Sequence, residues 1–294
     1  MRVTTADFRL CRYDGAGGLS LAAEVGGNTT EPPILLLHGG GQTRHSWGGA
    51  MRSLVSRGYH VINLDARGHG ESAWAPDGRY GLPLLAQDIK CVIDTLPTKP
   101  ALVGASMGGA AALFLVGNSQ EPVASALVLV DVVPRINLTG APKIQAFMRS
   151  HGNGFASLED AAKAIHEYNP RRRKPKDNSG LLKNLHLKTD GRFYWHWDPR
   201  VMSDGTNVEP PLWSEQLMAA ANKVRIPSLL IRGLESDVVT DEGVADLKRR
   251  IPELEVRDVP NAGHMVAGDK NDAFNRGLFD FLERKYPGRD RVGG

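Results

Sequence analysis

The chain has 294 residues, of which 41% are hydrophobic and 23% charged, a balance that excludes a disordered chain and is ordinary for a globular protein. The formal net charge is only +3, and no basic stripe with interleaved aromatic residues is present. The one marked basic run, "RRRKPK" at 171–176, is typical of a solvated surface, so no nucleic-acid partner is expected.

The N-terminal part of the chain predicts an antiparallel hairpin over residues 7–25, because alternating residues there turn at "DGAGG". The pattern then changes to short apolar runs without strict alternation, which are typical of strands buried on both faces of a parallel sheet. These runs are 33–39, 59–68, 101–106, 124–131, 227–233 and 254–260.

Amphipathic segments of helical length separate most of these runs: 43–57, 81–96, 107–119, 241–251 and 270–285. Alternation of strands and helices predicts an α/β fold with helices on both faces of the sheet. The exception is a long interval, 134–223, which we interpret as a cap inserted into a core domain formed by 1–133 and 224–294. Within it, Ser157 is expected to cap one helix, and a second helix is expected from Trp213.

A serine lies where the third apolar run becomes a helix, in "VGASMGG". Gly104-Ala105-Ser106-Met107-Gly108 fits the G-x-S-x-G pattern of a nucleophile elbow, in which larger side chains two residues before and after the serine would collide with the neighbouring strand and helix. The helix that follows would direct its free N–H groups towards a developing anion. Ser106 is therefore the predicted nucleophile.

A serine nucleophile needs a base and a third group that orients the base. In the order Ser, Asp, His, the chain supplies Asp237 after one predicted strand and His264 after the next. Asp237 is the preferred acid. Asp131, at the end of another strand, and Glu235 are competing carboxylates.

The loop "HGGGQ" at 38–42 follows a buried strand, and its three glycines allow a close approach of the backbone. We predict that the N–H groups of Gly40 and Met107 form the oxyanion hole, and that His38 has a structural role. A dinucleotide-binding loop is the rival interpretation of this strand and turn. It fails because the third glycine of G-x-G-x-x-G would fall on Arg44.

Five motifs occur in an order typical of one superfamily: "HGGGQTRHSW", "LDARGHGES", "VGASMGG", "GLESDVV" and "NAGH". Through them the chain resembles the α/β-hydrolase fold superfamily from about residue 20 to 285. The resemblance is strongest to the branch of serine esterases, cofactor-free haloperoxidases and epoxide-hydrolase-like proteins. It implies a mostly parallel eight-stranded sheet, a mainly helical cap over the pocket, a triad of Ser106, Asp237 and His264, and no cofactor. The serine at 106 differs from the pattern of true epoxide hydrolases, which have an aspartate at this position.

The expected activity is hydrolysis of a carboxylic ester or lactone through an acyl-enzyme on Ser106. A carbon–carbon bond hydrolase or a cofactor-free perhydrolase or haloperoxidase with the same triad is the alternative, and a non-catalytic small-molecule receptor is a third possibility. An aromatic-rich cap favours an apolar or aromatic substrate group. The predicted pocket residues are Trp47, Phe147, Met148, Tyr194, Trp195, Trp197 and Trp213.

Two cysteines, Cys11 and Cys91, cannot form a disulfide framework and lack metal-binding spacing, which favours a reducing compartment. No apolar stretch has the length of a signal peptide or of a membrane span, which needs about 20 residues. The sequence thus predicts a cytoplasmic protein, a monomer or homodimer, with a small-molecule substrate, no metal, and no membrane partner.

Overall fold

The computed structural model describes residues 8–135, 146–168, 177–202, 210–264 and 271–288, so the basic run 171–176 lies outside the described residues. The strands in chain order are β1 (Arg9–Asp14), β2 (Ser20–Gly26), β3 (Pro33–Leu37), β4 (His60–Leu64), β5 (Ala101–Ala105), β6 (Ala126–Val130), β7 (Leu185–Leu187), β8 (Phe193–Trp195), β9 (Ser228–Gly233) and β10 (Glu255–Val259). The helices are α1 (Gly48–Ser56), α2 (Leu82–Ile93), α3 (Met107–Asn118), α4 (Leu158–Tyr168), α5 (Pro210–Ala221), α6 (Asp241–Arg250) and α7 (Asn271–Lys285).

Eight strands form the central sheet, in the order β1-β2-β4-β3-β5-β6-β9-β10. Strand β2 pairs antiparallel with both β1 and β4, and all the pairs that follow in the sheet order, from β4 to β10, are parallel. The carboxyl ends of β3, β5, β6, β9 and β10 therefore meet at one edge, where α/β proteins place their ligands. This architecture confirms the predicted α/β fold with a mostly parallel sheet.

Helices cover both faces of the sheet, as the alternating pattern predicts. Side chains of α2, α3, α5 and α6 pack in one apolar cluster with residues of the sheet. Those of α1 and α7 pack in a second cluster on the other face of the sheet. Ile34, Leu36 and Val128 belong to this second cluster and alternate along their strands with residues of the first. Alternate residues of the central strands are thus buried on opposite faces, which explains why these strands are continuously apolar.

One buried ion pair joins the helix layer to the loop after β4. Arg67 Nε lies 2.5 Å from Asp88 Oδ2 and Arg67 Nη2 lies 2.6 Å from Asp88 Oδ1, with both side chains only 4% exposed. The Ala16 N–H also donates to Asp88 Oδ1, at 2.8 Å. Asp88 of α2 therefore holds the loop after β4 through a bidentate ion pair and the β1–β2 turn through one backbone hydrogen bond.

The described part of the inserted segment has its own small apolar cluster, formed by Phe155, Ala161, Ala164 and Leu185. Helix α4 begins after Ser157, whose Oγ accepts from the Asp160 N–H at 3.1 Å, as the sequence predicts. The strands β7 and β8 add an antiparallel pair, so this segment is less purely helical than expected.

The predicted cap ends at residue 223 and so includes helix α5, but this helix packs on the sheet domain. Its Leu217 and Ala221 belong to the apolar cluster of the sheet domain. A Cβ atom added to Gly117 of α3 would lie 2.2 Å from Ala220 O, so the two helices pack backbone to backbone. The amino acid pattern of 210–221 is that of any buried helix, and only this contact assigns it to the core.

None of the helices in the described ranges combines the length and the apolar character needed to cross a membrane.

Candidate active site

Ser106 occupies the turn between β5 and α3, with φ of 45° and ψ of −114°. A positive φ at a non-glycine residue is strained and persists only when the surroundings impose it. Here the Ser106 N–H donates to Val130 O of the neighbouring strand at 3.0 Å, and its carbonyl accepts from Ala110 N at 2.8 Å. Strand pairing before the serine and helix formation after it together hold the turn.

Two glycines make this turn possible because the chain passes very close to its neighbours there. A Cβ on Gly104 would lie 2.5 Å from Gly109 N, and one on Gly108 would lie 2.7 Å from His38 O. Both distances are shorter than any real contact with backbone atoms. The prediction that side chains two residues either side of Ser106 would collide is confirmed.

His264 follows β10 at the same edge of the sheet, and its ring is held by Asp131. The distance from His264 Nδ1 to Asp131 Oδ2 is 2.7 Å, and Asp131 is 1% exposed. Asp131 directly follows β6 with a φ of 49°. Its carboxylate also accepts from Ser236 Oγ at 2.6 Å and from Gly233 N at 3.1 Å. Three donors therefore fix the carboxylate, and His264 Nε2 is left as the nitrogen available for proton transfer.

This geometry corrects the preferred prediction for the acid, Asp237. Asp237 is exposed, in the loop after β9, and its charge acts on Tyr168 of α4, where burial first and Asp237 second raise the tyrosine pKa to about 12. Asp131 was the competing carboxylate, and a sequence signal for it exists: it follows its strand without an intervening residue. Ser236, which supports Asp131, was missed.

The loop of residues 38–42 passes beside the serine turn. A Cβ on Gly39 would lie 3.4 Å from Ser106 Cβ, which puts this loop in contact with the predicted nucleophile, Ser106. The N–H groups of Gly39 and Gly41 are already used, by Gln42 Oε1 at 3.0 Å and by His69 Nε2 at 3.2 Å. No acceptor among the described residues takes the Gly40 N–H, which leaves it open to bind an anion.

The loop is supported by two buried histidines with defined tautomers. His38 Nε2 accepts from Ala66 N at 3.0 Å, so its Nδ1 carries the proton and donates to Gly39 O at 2.8 Å. His69 Nε2 accepts from Gly41 N, so its Nδ1 donates to Arg67 O at 3.1 Å. His38 thus has the structural role expected from the sequence, and His69 shares it.

A third histidine connects this loop region to the inserted segment. His196, just after β8, accepts from Gly70 N at its Nδ1, at 2.7 Å, and its ring centre lies 5.9 Å from that of His69. Burial lowers the pKa of all three rings, and that of His69 falls to about 3, with the neighbouring His38 as a second cause. The three histidines are therefore neutral at physiological pH.

The predicted pocket residues separate into two groups. Met148, Tyr194, Trp195 and Trp197 line one hollow near residues 40 and 41, and Phe147 lies behind it, 5.5 Å from the Trp195 ring centre. Trp47 is instead 1% exposed and packs against Phe274, and Trp213 packs against the core of the sheet domain. Its burial excludes Trp47 from a pocket wall and corrects that prediction, whereas the pocket role of Trp213, which is only partly buried, stays a prediction.

Among the described residues, no group of three or more His, Cys, Asp and Glu side chains is arranged to hold a metal ion.

The fold and the arrangement around Ser106 agree with a match to the model of the alpha/beta hydrolase family, which covers residues 34–276. The chain belongs to this family. The hydrolase is 30% identical to the esterase Rv0045c of Mycobacterium tuberculosis, across 90% of this chain and 87% of that protein. It is 28% identical to the sn-1-specific diacylglycerol lipase ABHD11 of Mus musculus, across 87% and 82% of the two chains.

Solved structures agree with this assignment of the fold. E-2-(acetamidomethylene)succinate hydrolase superposes on the hydrolase with a TM-score of 0.83, at 23% identity, over 94% of this chain and 100% of that one. That likeness concerns the fold alone. The esterase and lipase relatives identify the chain as an enzyme and support ester hydrolysis as its chemistry.

Proposed function

We propose that the protein hydrolyses carboxylic esters or lactones through an acyl-enzyme on Ser106, with His264 as the general base and Asp131 as the group that orients it. The hydrogen bond between His264 Nδ1 and Asp131 Oδ2 carries this proposal. It fixes the ring tautomer, because Nδ1 keeps its proton and Nε2 remains free to accept one. A strained serine turn on the same sheet edge supplies the nucleophile.

In the proposed cycle, Ser106 Oγ attacks the ester carbonyl while His264 Nε2 takes the hydroxyl proton. The carbonyl oxygen becomes an oxyanion, which accepts hydrogen bonds from the N–H groups of Gly40 and Met107. Met107 is the first residue of α3, so its N–H has no acceptor within the helix, and the positive end of the helix dipole favours the anion.

The oxyanion then collapses, the carbon–oxygen bond to the alcohol breaks, and His264 gives its proton to the departing alcohol oxygen. A water molecule next attacks the acyl-enzyme, with His264 Nε2 taking one proton from it. The carboxylic acid leaves, and the proton returns to Ser106 Oγ. Over the two half-reactions, one ester and one water molecule are consumed, and one carboxylic acid and one alcohol are released.

The proposed substrates carry an apolar or aromatic group. Support comes from the described aromatic side chains near residues 40 and 41, and from the named activities of the relatives, which include an esterase and a diacylglycerol lipase. Aromatic walls favour flat or apolar groups because they remove much apolar surface from water at little cost in side-chain entropy.

The decisive experiment measures turnover of p-nitrophenyl esters and labelling by a fluorophosphonate probe, in the wild type and in Ser106→Ala. We expect both to be lost in Ser106→Ala while the circular dichroism spectrum is unchanged. Lactones in the same panel extend the ester test to cyclic esters, and vinylogous diketones test the carbon–carbon bond alternative. Probe labelling without turnover of any ester or lactone would contradict the proposal, as would unchanged activity of the variant.

We also propose that the enzyme works in the cytoplasm, because both cysteines, Cys11 and Cys91, are free thiols of the kind that reducing compartments maintain. Fractionation of source cells tests this location: we expect the chain in the soluble intracellular fraction, and its recovery from a membrane or exported fraction would contradict the proposal.

A further inference from the structure

The loop of residues 38–42, which we define as the oxyanion loop, is held on both sides of its free N–H group. On one side, Gly39 O accepts from His38 Nδ1 at 2.8 Å. This oxygen and the Gly40 N–H belong to one planar peptide group and point in opposite directions. On the other side, the next N–H along the chain donates to His69 Nε2 at 3.2 Å. The direction of the free N–H therefore depends on the positions of these two rings.

The position of His69 depends in turn on the inserted segment, because the residues before and after it both bond to that segment. Gly68 O accepts from Asp198 N at 2.8 Å, and the Gly70 N–H donates to His196 Nδ1 at 2.7 Å. Both partners follow β8 directly. The end of this short strand therefore holds the loop that carries His69.

The His196 ring also lies beside the oxyanion loop itself. Because its Nδ1 accepts a hydrogen bond, its Nε2 carries the proton, and this N–H is buried without a full hydrogen bond to any described residue. Burial lowers the pKa of the ring, and His69 and His38 add to the lowering, whereas the Gly41 carbonyl opposes it. The ring of the next residue, Trp197, is 3.5 Å from the position that a Cβ on Gly41 would take. Two consecutive residues of the inserted segment thus lie against Gly41.

We propose that His196 is a positioning residue: by holding the loop after β4 and lying against the oxyanion loop, it keeps the Gly40 N–H directed at the oxyanion. Its effect on turnover rests on the proposed function, whereas its effect on the order of the loop does not. A donor to the oxyanion acts more strongly in the transition state than in the ground state, so its misdirection lowers kcat and leaves KM nearly unchanged. The inserted segment thereby influences the rate of the chemical step.

The first test is His196→Leu, which keeps a similar volume but removes both ring nitrogens. We expect kcat to fall by about tenfold with KM within about twofold, which is a part of the loss of about 10²- to 10³-fold that removal of an oxyanion donor causes. His196→Asn is the rescue variant, because its Oδ1 takes the place of Nδ1 as the acceptor for Gly70 N, and we expect its kcat within about threefold of the wild type. If His196→Leu does not fold, His196→Phe repeats the test with a ring that has no acceptor.

Tyr80→Phe is the matched control, because it removes a different buried anchor of the inserted segment. Tyr80 Oη donates to Asp198 Oδ2 at 2.5 Å, and Arg200 Nη2, at 2.7 Å, still holds that carboxylate in the variant. Both His196→Leu and Tyr80→Phe are expected to lower the melting temperature, but Tyr80→Phe keeps kcat within about twofold of the wild type. A loss of kcat in His196→Leu no larger than that in Tyr80→Phe would overturn the inference, as would a change confined to KM or no recovery in His196→Asn.

Amide hydrogen exchange, measured by mass spectrometry in a peptide that covers residues 38–44, needs no substrate. We expect exchange there to be faster by about threefold or more in His196→Leu and unchanged in Tyr80→Phe. An unchanged rate in His196→Leu would overturn the inference whether or not the wild type hydrolyses esters. Faster exchange in this variant, together with a wild type that is inactive on all esters and lactones, would support the positioning of the loop and contradict the proposed function alone.

Discussion

The Nδ1 atom of His264 lies 2.7 Å from Oδ2 of Asp131, although 133 residues separate them in the chain. The carboxylate follows β6 and the imidazole follows β10, two strands away in the sheet. The parallel arrangement of β6, β9 and β10 brings both to the edge that also carries Ser106. The first prediction follows from which carboxylate makes this contact.

Asp131→Asn is expected to lower kcat by about 10³- to 10⁴-fold, because an amide that donates to Nδ1 stabilises the wrong tautomer of the base. Asp237→Asn is the matched control, and we expect its kcat to stay within about threefold of the wild type, since that carboxylate is exposed and does not hold His264. Steady-state kinetics with one ester measures both. A severe loss in Asp237→Asn with an active Asp131→Asn would reverse the assignment.

Ser236→Ala is expected to lower kcat by about tenfold with little change in KM, because it removes one of the three donors that fix the Asp131 carboxylate. The same hydroxyl accepts from Val238 N and Val239 N at 3.2 Å, so the variant also loses stability. Ser236→Thr keeps the hydroxyl and serves as the rescue variant. A stability loss with unchanged kcat would assign Ser236 a purely structural role.

Acid is expected to destabilise the protein through its buried histidines. A histidine in the unfolded chain binds a proton near pH 6.5, whereas His69 in the folded protein does so only at about pH 3. Between these values the unfolded chain binds more protons, so stability falls as the pH drops, by about 1.4 kcal/mol per pH unit for each histidine that stays neutral. His38 and His196, whose pKa values are also lowered, add to this loss.

Urea unfolding at about pH 7, 6 and 5 measures this dependence. His69→Gln, which keeps an acceptor for Gly41 N but does not titrate, is expected to reduce the slope. A free energy of unfolding that is constant across this range would contradict the expectation, as would an unchanged slope in the variant.

Asp88→Asn is expected to destabilise the fold by about 3 to 5 kcal/mol, because it leaves the buried Arg67 guanidinium without its anionic partner. The control is Asp94→Asn, at the residue directly after the same helix. It breaks a pair with Lys90 in which the two side chains are 42% and 59% exposed, so the expected loss is below about 1 kcal/mol. Equal losses in the two variants would show that burial does not decide the contribution of these pairs.

Local pattern was sufficient to predict most of the fold. The hairpin at 7–25, the parallel strands and the cap of α4 by Ser157 depend on neighbouring residues, whose periodicity and turn residues the sequence displays. The elbow at Ser106 was equally predictable, because glycines at 104 and 108 indicate that the backbone there lies close to the neighbouring strand and helix.

The choice between Asp131 and Asp237 could not be made from chain order, because both follow a strand at the same sheet edge and both precede His264. The one sequence signal, that Asp131 follows its strand without an intervening residue, does not decide between them. Burial and backbone direction do, and only the assembled sheet defines these. The position of α5 in the core and the inward packing of Trp47 are of the same kind. Each depends on which partner lies opposite in three dimensions.

The bond from Gly70 N to His196 Nδ1 joins the inserted segment to the loop after β4, whose His69 in turn accepts from Gly41 N of the loop of residues 38–42. Next to it, Thr43 Oγ1 donates to Asn184 Oδ1 at 3.3 Å, and Asp198 N donates to Gly68 O at 2.8 Å. An engineer who replaced this segment with that of another family member, in order to exchange substrate range, would also remove these anchors. Chimeras of this enzyme therefore need matched loops at 38–47 and 66–80 together with the transplanted segment.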